Sequence, residues 1–256
     1  MTPENDMKYS ALTILFCVIL ISGCASNTTP NAKDQNMHPS LLDELQRIKT
    51  VVIIPPIVDI RFLTLTGEDE DLVSDENQII NYIKTTTRSH LEKAGYGIVE
   101  YNFDAAKSND TNFTYTITKV YQDFYRVKSD LQAKRRIPQL NTNSMPIYVS
   151  EAIHDITHKV GADAILISRF SGYKKSVAYV AKEAGAVFTQ NLLTTNRHRR
   201  KASTANGAII DIALLDGHTG ELLWTNSRVD FLSKSLADKA LSTLPQSVYS
   251  DSAHIN

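Results

Sequence analysis

The sequence predicts a single α/β domain in which a mixed β-sheet of about five strands, ending in a C-terminal β-hairpin, packs against helices as a two-layer or three-layer sandwich. Three stretches predict it. "TVVIIPP", residues 50–56, holds a continuous branched run from Val51 to Ile54 that Pro55 and Pro56 stop, the pattern of a buried strand. "ADAILISRF", residues 162–170, repeats that pattern mid-chain and reads as a central strand. "GAIIDIALLDGHTGELLWTN", residues 207–226, places two strand runs around Asp216-Gly217-His218-Thr219-Gly220, a hairpin turn with glycine where positive φ is needed.

The elements between these strands follow in order. After the extended stretch "VDIRFLTLTGEDEDL", Ser74 can cap a helix in which Ile80, Ile83, Thr87, Leu91 and Ala94 recur at three- and four-residue steps until Gly95 stops it. The acidic run ahead of it, "GEDEDLVSDE", reads as a solvated loop and helix start, where carboxylates suit the positive dipole end; no metal-ligand spacing is evident. "GIVEY", residues 97–101, supplies the next strand. Over residues 113–136, Ile117, Val120, Tyr121, Phe124, Val127 and Leu131 keep a helical period and "KRR" closes the last turn, although the Thr-Tyr-Thr start leaves a strand open there. Residues 147–160 put Val149, Ala152, Ile153, Ile156 and Val160 on one helical face, ended by Gly161. A short helix over residues 233–241 closes the domain, and no internal repeat is visible.

The beginning of the chain carries the sharpest signal. Its apolar run, residues 11–21, falls far short of the roughly 20 residues that span a bilayer core. That length disfavours an uncleaved anchor and fits the hydrophobic part of a secretory signal. Glu4 and Asp6 depart from a basic start, whereas a start at Met7, followed by Lys8, restores it. Ile21-Ser22-Gly23-Cys24 resembles the bacterial lipobox, which implies that the Cys24 sulfur carries diacylglycerol and that Cys24 becomes the first mature residue. One acyl chain holds a protein to a bilayer only marginally, whereas two or more hold it stably. By resemblance to Gram-negative lipoproteins, Ala25 implies sorting to the outer membrane with the body facing the periplasm.

The expected organisation is a signal peptide over residues 1–23 and a lipidated cysteine with a flexible polar linker over 24–46. A periplasmic domain then covers 47–245, with a helical insert at 174–201, and a tail covers 246–256. Cys17 falls in the signal, so the mature chain holds no internal disulfide, an arrangement that suits an oxidising compartment. The body rests on its core alone, and about 200 residues suffice for a sizeable one.

With the lipobox and polar spacer, "VVIIPP", "GADAILISRFSGY" and "GAIIDIALLDGHTGELLW" resemble a group of bacterial outer-membrane lipoproteins, the LpoB-like penicillin-binding-protein activators and, more distantly, the CsgG-like curli secretion proteins. The resemblance covers most of residues 47–241 and rests on strand and turn patterns. It implies a non-enzymatic protein without cofactor that docks on an envelope protein partner, a penicillin-binding protein or secretion-complex subunits, or assembles with copies of itself.

The insert departs from that pattern. In "KKSVAYVAKEAGAVFTQNLLTTNRHRRKAS", Val177, Val180, Ala181, Ala184, Val187, Phe188 and Leu192 form a helical stripe, with Ala181 and Gly185 small enough for another helix to approach. Lipid-facing hairpins of a pore would instead alternate over about ten residues per strand. The stripe either packs on the domain's own sheet or serves as a self-association, partner or membrane-surface helix. The flanking Lys174, Lys175, Arg197, Arg199, Arg200 and Lys201 favour an anionic surface or acidic partner. Nucleic acid is not expected, since a periplasmic protein rarely meets it and no recognition motif accompanies these charges; the formal net charge of −1 argues neither way.

Catalytic signatures are missing from the sequence. His154 and His158 in "HDITH" sit one turn apart as in a zinc helix, but Asp155 replaces the glutamate, no third ligand can be nominated, and both fall away from the apolar face. No nucleophile elbow, phosphate loop or dinucleotide fingerprint occurs. Trp224 reads as core. The expectation is therefore no catalytic residue, no metal and no cofactor.

Overall fold

The elements follow in chain order as strands β1 (Gln35–Met37), β2 (Thr50–Ile53), β3 (Ile57–Leu63) and β4 (Asp69–Asp71), then helix α1 (Val73–Lys93) and strand β5 (Gly97–Val99). Helices α2 (Phe103–Asn109), α3 (Thr111–Ala133) and α4 (Ala152–Val160) precede strand β6 (Ala164–Lys175) and helix α5 (Val177–Leu193). Strands β7 (Gly207–Asp216) and β8 (Leu222–Phe231) and helix α6 (Ser235–Leu241) complete it. This computed structural model describes residues 35–37, 45–65, 69–71, 73–133, 146–193 and 206–247. Residues 1–34, with the signal segment and Cys24, lie outside them, as do Arg197, Arg199, Arg200 and Lys201, the "KRR" turn and the end of the tail.

The sheet is mixed, in the order β1-β8-β7-β6-β2-β5. Strand β6 is long enough to take two parallel neighbours in succession, β2 along its first half (Val51↔Ala164) and β3 along its second (Ile57↔Arg169 to Leu63↔Lys175). Pro55 and Pro56 end β2 for want of ladder donors, and the chain resumes beside the same strand as β3. Strands β6, β7 and β8 form an antiparallel meander.

Because side chains alternate along a strand, β6 feeds both faces of the sheet. Ala164, Leu166 and Phe170 join Ile83, Leu91, Ile212, Trp224 and Leu241 in a core under α1 and α6. Ile165 and Ile167 join Phe113, Phe124, Ile153 and Ile156 in a second core under α2, α3 and α4. Helices on both sides of one sheet make the sandwich three-layered.

More strands are present than the sequence announces. Strand β4 is "DED" inside the run expected to be a solvated loop, yet it pairs antiparallel with β3. Strand β1 is "QNM" inside the stretch expected to be a polar spacer, and it pairs with Trp224–Asn226 of β8. Both are held by backbone hydrogen bonds, which leave no hydrophobic pattern to read. Leu45, also in the expected linker, is buried.

Several element boundaries differ from those expected. The helix expected from Phe113 starts two residues earlier, at Thr111, and takes in the Thr-Tyr-Thr start that left a strand open, because Asp110 Oδ1 accepts the Phe113 N–H at 3.0 Å. Helix α2 was not expected; Asn102 caps it by accepting the Ala105 N–H at 3.0 Å. Helix α4 starts at Ala152 rather than residue 147, because Tyr148 bridges Glu221 and the Val149 N–H donates to the Gly220 carbonyl at 2.8 Å. In the hairpin turn, positive φ falls on Gly220 (74°) and not Gly217. Gly217 is needed for space, since a Cβ there would lie 2.4 Å from the Asp163 carbonyl oxygen.

Of the two alternatives for the insert, packing on its own sheet or an outward contact, the described side chains of α5 favour the second. The β6/β7 ladder runs unbroken to Tyr173↔Gly207, and the Lys175 N–H then donates to Asn206 Oδ1 at 2.9 Å, so α5 leaves from the tip of a finished hairpin. Val177 is 88% exposed, Ala181, Ala184 and Gly185 are exposed, and Val180 and Val187 are half-buried. The physical reason is that the other helices already cover the two sheet faces. Among the described residues no helix is long and apolar enough to cross a membrane.

Candidate interaction surface

The insert begins with a local capping arrangement. Ser176, just past the end of β6, accepts the Tyr179 N–H on its Oγ at 3.1 Å and the Val180 N–H on its carbonyl at 3.0 Å, which starts α5 one residue beyond the hairpin. The base of the helix is then pinned by charge. Lys175 Nζ lies 2.6 Å from Glu183 Oε2, between the rings of Tyr173 and Tyr179 at 5.7 and 5.8 Å from their centroids.

This geometry revises the expected contact cations. The Lys175 side chain is only 6% exposed and serves the root of α5, and Lys174 pairs with Asp75 at the start of α1. Neither is a free charge awaiting an acidic surface. Outward, α5 presents the small or apolar residues Val177, Ala181, Ala184 and Gly185 together with the charge of Lys182. Phe188 and Leu192 belong to the helix by position, and their side chains lie outside the described set.

A second feature, which sequence reading missed, is a polar groove of about 420 Å³ where Tyr115 of α3 faces Tyr148, Glu151, His154 and the hairpin turn at His218. Tyr115 and Tyr148 are 68% and 53% exposed. Asp123 sits beneath it, accepting from Ser150 Oγ at 2.7 Å, Lys119 Nζ at 2.8 Å and an Arg126 Nη at 3.0 Å. Burial alone would raise the Asp123 pKa, but hydrogen bonds from Lys119 and Ser150, with the nearby charges of Lys119 and Arg126, outweigh it and hold the carboxyl below its ordinary value. Only the spacing of Lys119, Asp123 and Arg126 on one helix face hinted at this network.

A carboxylate with a depressed folded pKa stabilises the fold above its unfolded pKa and loses that contribution as pH falls through the folded value. Asp123→Asn is therefore expected to lower the urea midpoint at pH 7 and to flatten the acid limb of stability. A variant whose midpoint falls with acid as steeply as the parent's contradicts the assignment.

His154 and His158 are exposed on α4 with ring centroids 6.1 Å apart. Among the described residues no group of three or more His, Cys, Asp or Glu side chains is placed to hold a metal ion. Trp224 is fully buried.

No protein-family model matches the chain, and no curated protein does. Among solved structures, the chain is similar to the lipoprotein GNA1162 from Neisseria meningitidis, with 11% identity, a TM-score of 0.31, and coverage of 75% of this chain and 92% of that one. The C-terminal domain of LpoB from Salmonella enterica gives 12% identity and a TM-score of 0.27 over 77% of this chain and 96% of that one. A PelC dodecamer from Paraburkholderia phytofirmans gives 13% identity and a TM-score of 0.28 over 78% and 91%. Likeness of this degree carries no conclusion about activity.

Proposed function

We propose that this chain is a non-enzymatic lipoprotein, anchored to the outer membrane through Cys24, whose periplasmic domain binds a protein partner in cell-envelope biogenesis and regulates a peptidoglycan synthase. The observation that carries the reading is α5, a helix raised on the tip of a closed hairpin with an apolar face that the domain leaves uncovered. A helix so placed costs ordering entropy without repaying it in core burial, which fits a contact made with another molecule. The lipobox and the polar stretch after it support the anchor.

A second reading is favoured by the exposed small residues Ala181, Ala184 and Gly185, over which a second helix can approach closely. In it the chain is a structural subunit of an envelope-spanning secretion or flagellar assembly and oligomerises through α5.

A photo-crosslinking residue at Ala181 of the full chain in intact cells separates the two. An adduct containing a penicillin-binding protein supports the regulator, and a ladder of self-adducts supports the assembly subunit. No adduct at all rejects both uses of α5.

A further inference from the structure

We propose that two copies of this chain join edge to edge through β8, antiparallel about a two-fold axis at Val229. Strand β1 covers β8 only at Trp224–Asn226. From Ser227 to Phe231, β8 has β7 on one side and no strand on the other among the described residues.

The backbone direction of that free edge follows from one hydrogen bond. The Leu232 N–H donates to the Asn206 carbonyl on the β7 side at 3.1 Å. Backbone groups alternate along a strand, so Arg228 and Asp230 also turn toward β7, while Ser227, Val229 and Phe231 turn their N–H and C=O groups outward. Asp230 Oδ1 accepts the Phe231 N–H at 2.8 Å, which partly satisfies the edge.

The side chains make the edge complementary to itself. Val229 and Phe231 share one face and are 77% and 64% exposed. Arg228 and Asp230 share the other face and flank Val229 symmetrically. Antiparallel pairing centred on Val229 therefore sets each Arg228 opposite the other copy's Asp230, and Val229 opposite Val229. Shifting the centre to residue 228 or 230 sets Arg228 against Arg228 or Asp230 against Asp230, so charge selects the register.

Asp230 also holds Lys239 at 2.7 Å within its own chain, so in the pair its carboxylate is shared between Lys239 and the other copy's Arg228. The same pairing joins two exposed Val229 and Phe231 patches into one continuous apolar row and removes an open sheet edge. This dimer is independent of α5, and the test separates them.

In cells expressing the full chain, Val229→Cys should give a disulfide-linked dimer under mild oxidation, above the background of the parent. Facing residues in such a pair stand about 5.5 Å apart at Cα, within bridging range. Val177→Cys on α5 is the companion. A Val229→Cys dimer, with or without a Val177→Cys dimer, supports edge pairing. A Val177→Cys dimer alone overturns edge pairing and leaves self-association through α5 standing. No dimer with either also overturns it, without bearing on a heterologous partner of α5.

Sedimentation of the detergent-purified chain is the second arm. Val229→Pro removes only an outward N–H, a change edge strands tolerate, and should weaken dimerisation by about tenfold or more. Arg228→Asp should weaken it comparably, and adding Asp230→Arg should restore it, which keeps the test valid if the proline variant does not fold. Dimerisation indifferent to the charge reversal, or a monomer at every concentration, overturns the proposal.

Discussion

Replacing residues 177–204 with a short glycine-containing turn is expected to abolish partner capture while leaving the domain folded, with a melting temperature shifted by no more than about 3 °C. The ladder from Ala164↔Asp216 to Tyr173↔Gly207 needs nothing from the insert, and neither hydrophobic core contains a described side chain of α5. Among the described residues the ion pair lost is Lys175–Glu183, which a partly exposed carboxylate makes weak. Calorimetry and crosslinking on the same preparation check both halves. Loss of cooperative unfolding would make the insert part of the core after all.

Trp224→Ala is expected to cost about 3–5 kcal/mol, because it empties the largest fully buried side chain, where β8 meets the α6 side of the sheet. The indole Nε1 is buried with no hydrogen-bond partner among the described residues. Trp224→Phe removes that orphaned donor along with part of the ring, so it should cost less than half as much. Urea titration reads both, and equal losses would point instead to a hydrogen bond made by the indole.

What could be read in the sequence divides by where the stabilising energy comes from. Strands β2, β6, β7 and β8 bury apolar side chains, and their branched runs announce them directly. Helix α1 ends at Gly95 and α4 at Gly161, both with positive φ, as their glycines require. Strands β1 and β4 rest on backbone pairing with polar residues, so composition pointed to a spacer and a loop. Strand β3 buries only Ile60 fully and reads as merely extended.

The candidate surface divides in the same way. The helical stripe from Val177 to Leu192 is legible as a helix, because a 3.6-residue period is local information. Whether that stripe faces the sheet or solvent depends on which other helices already occupy the faces, a tertiary fact with no local trace. Lys174 and Lys175 looked free for the same reason, since their partners Asp75 and Glu183 come together only through the β3/β6 pairing and the turn into α5. That β8 has no described neighbour on its outer side beyond Asn226 is likewise a property of strand pairing rather than of its residues.

The anchor is the claim on which the compartment and the partner both depend, and intact mass spectrometry of the membrane-extracted native protein tests it most directly. The account predicts a chain that lacks residues 1–23 and begins at Cys24, heavier than its polypeptide by a thioether-linked diacylglycerol and an amide-linked acyl chain. A chain that keeps those residues, or that begins at Cys24 with an unmodified thiol, contradicts it.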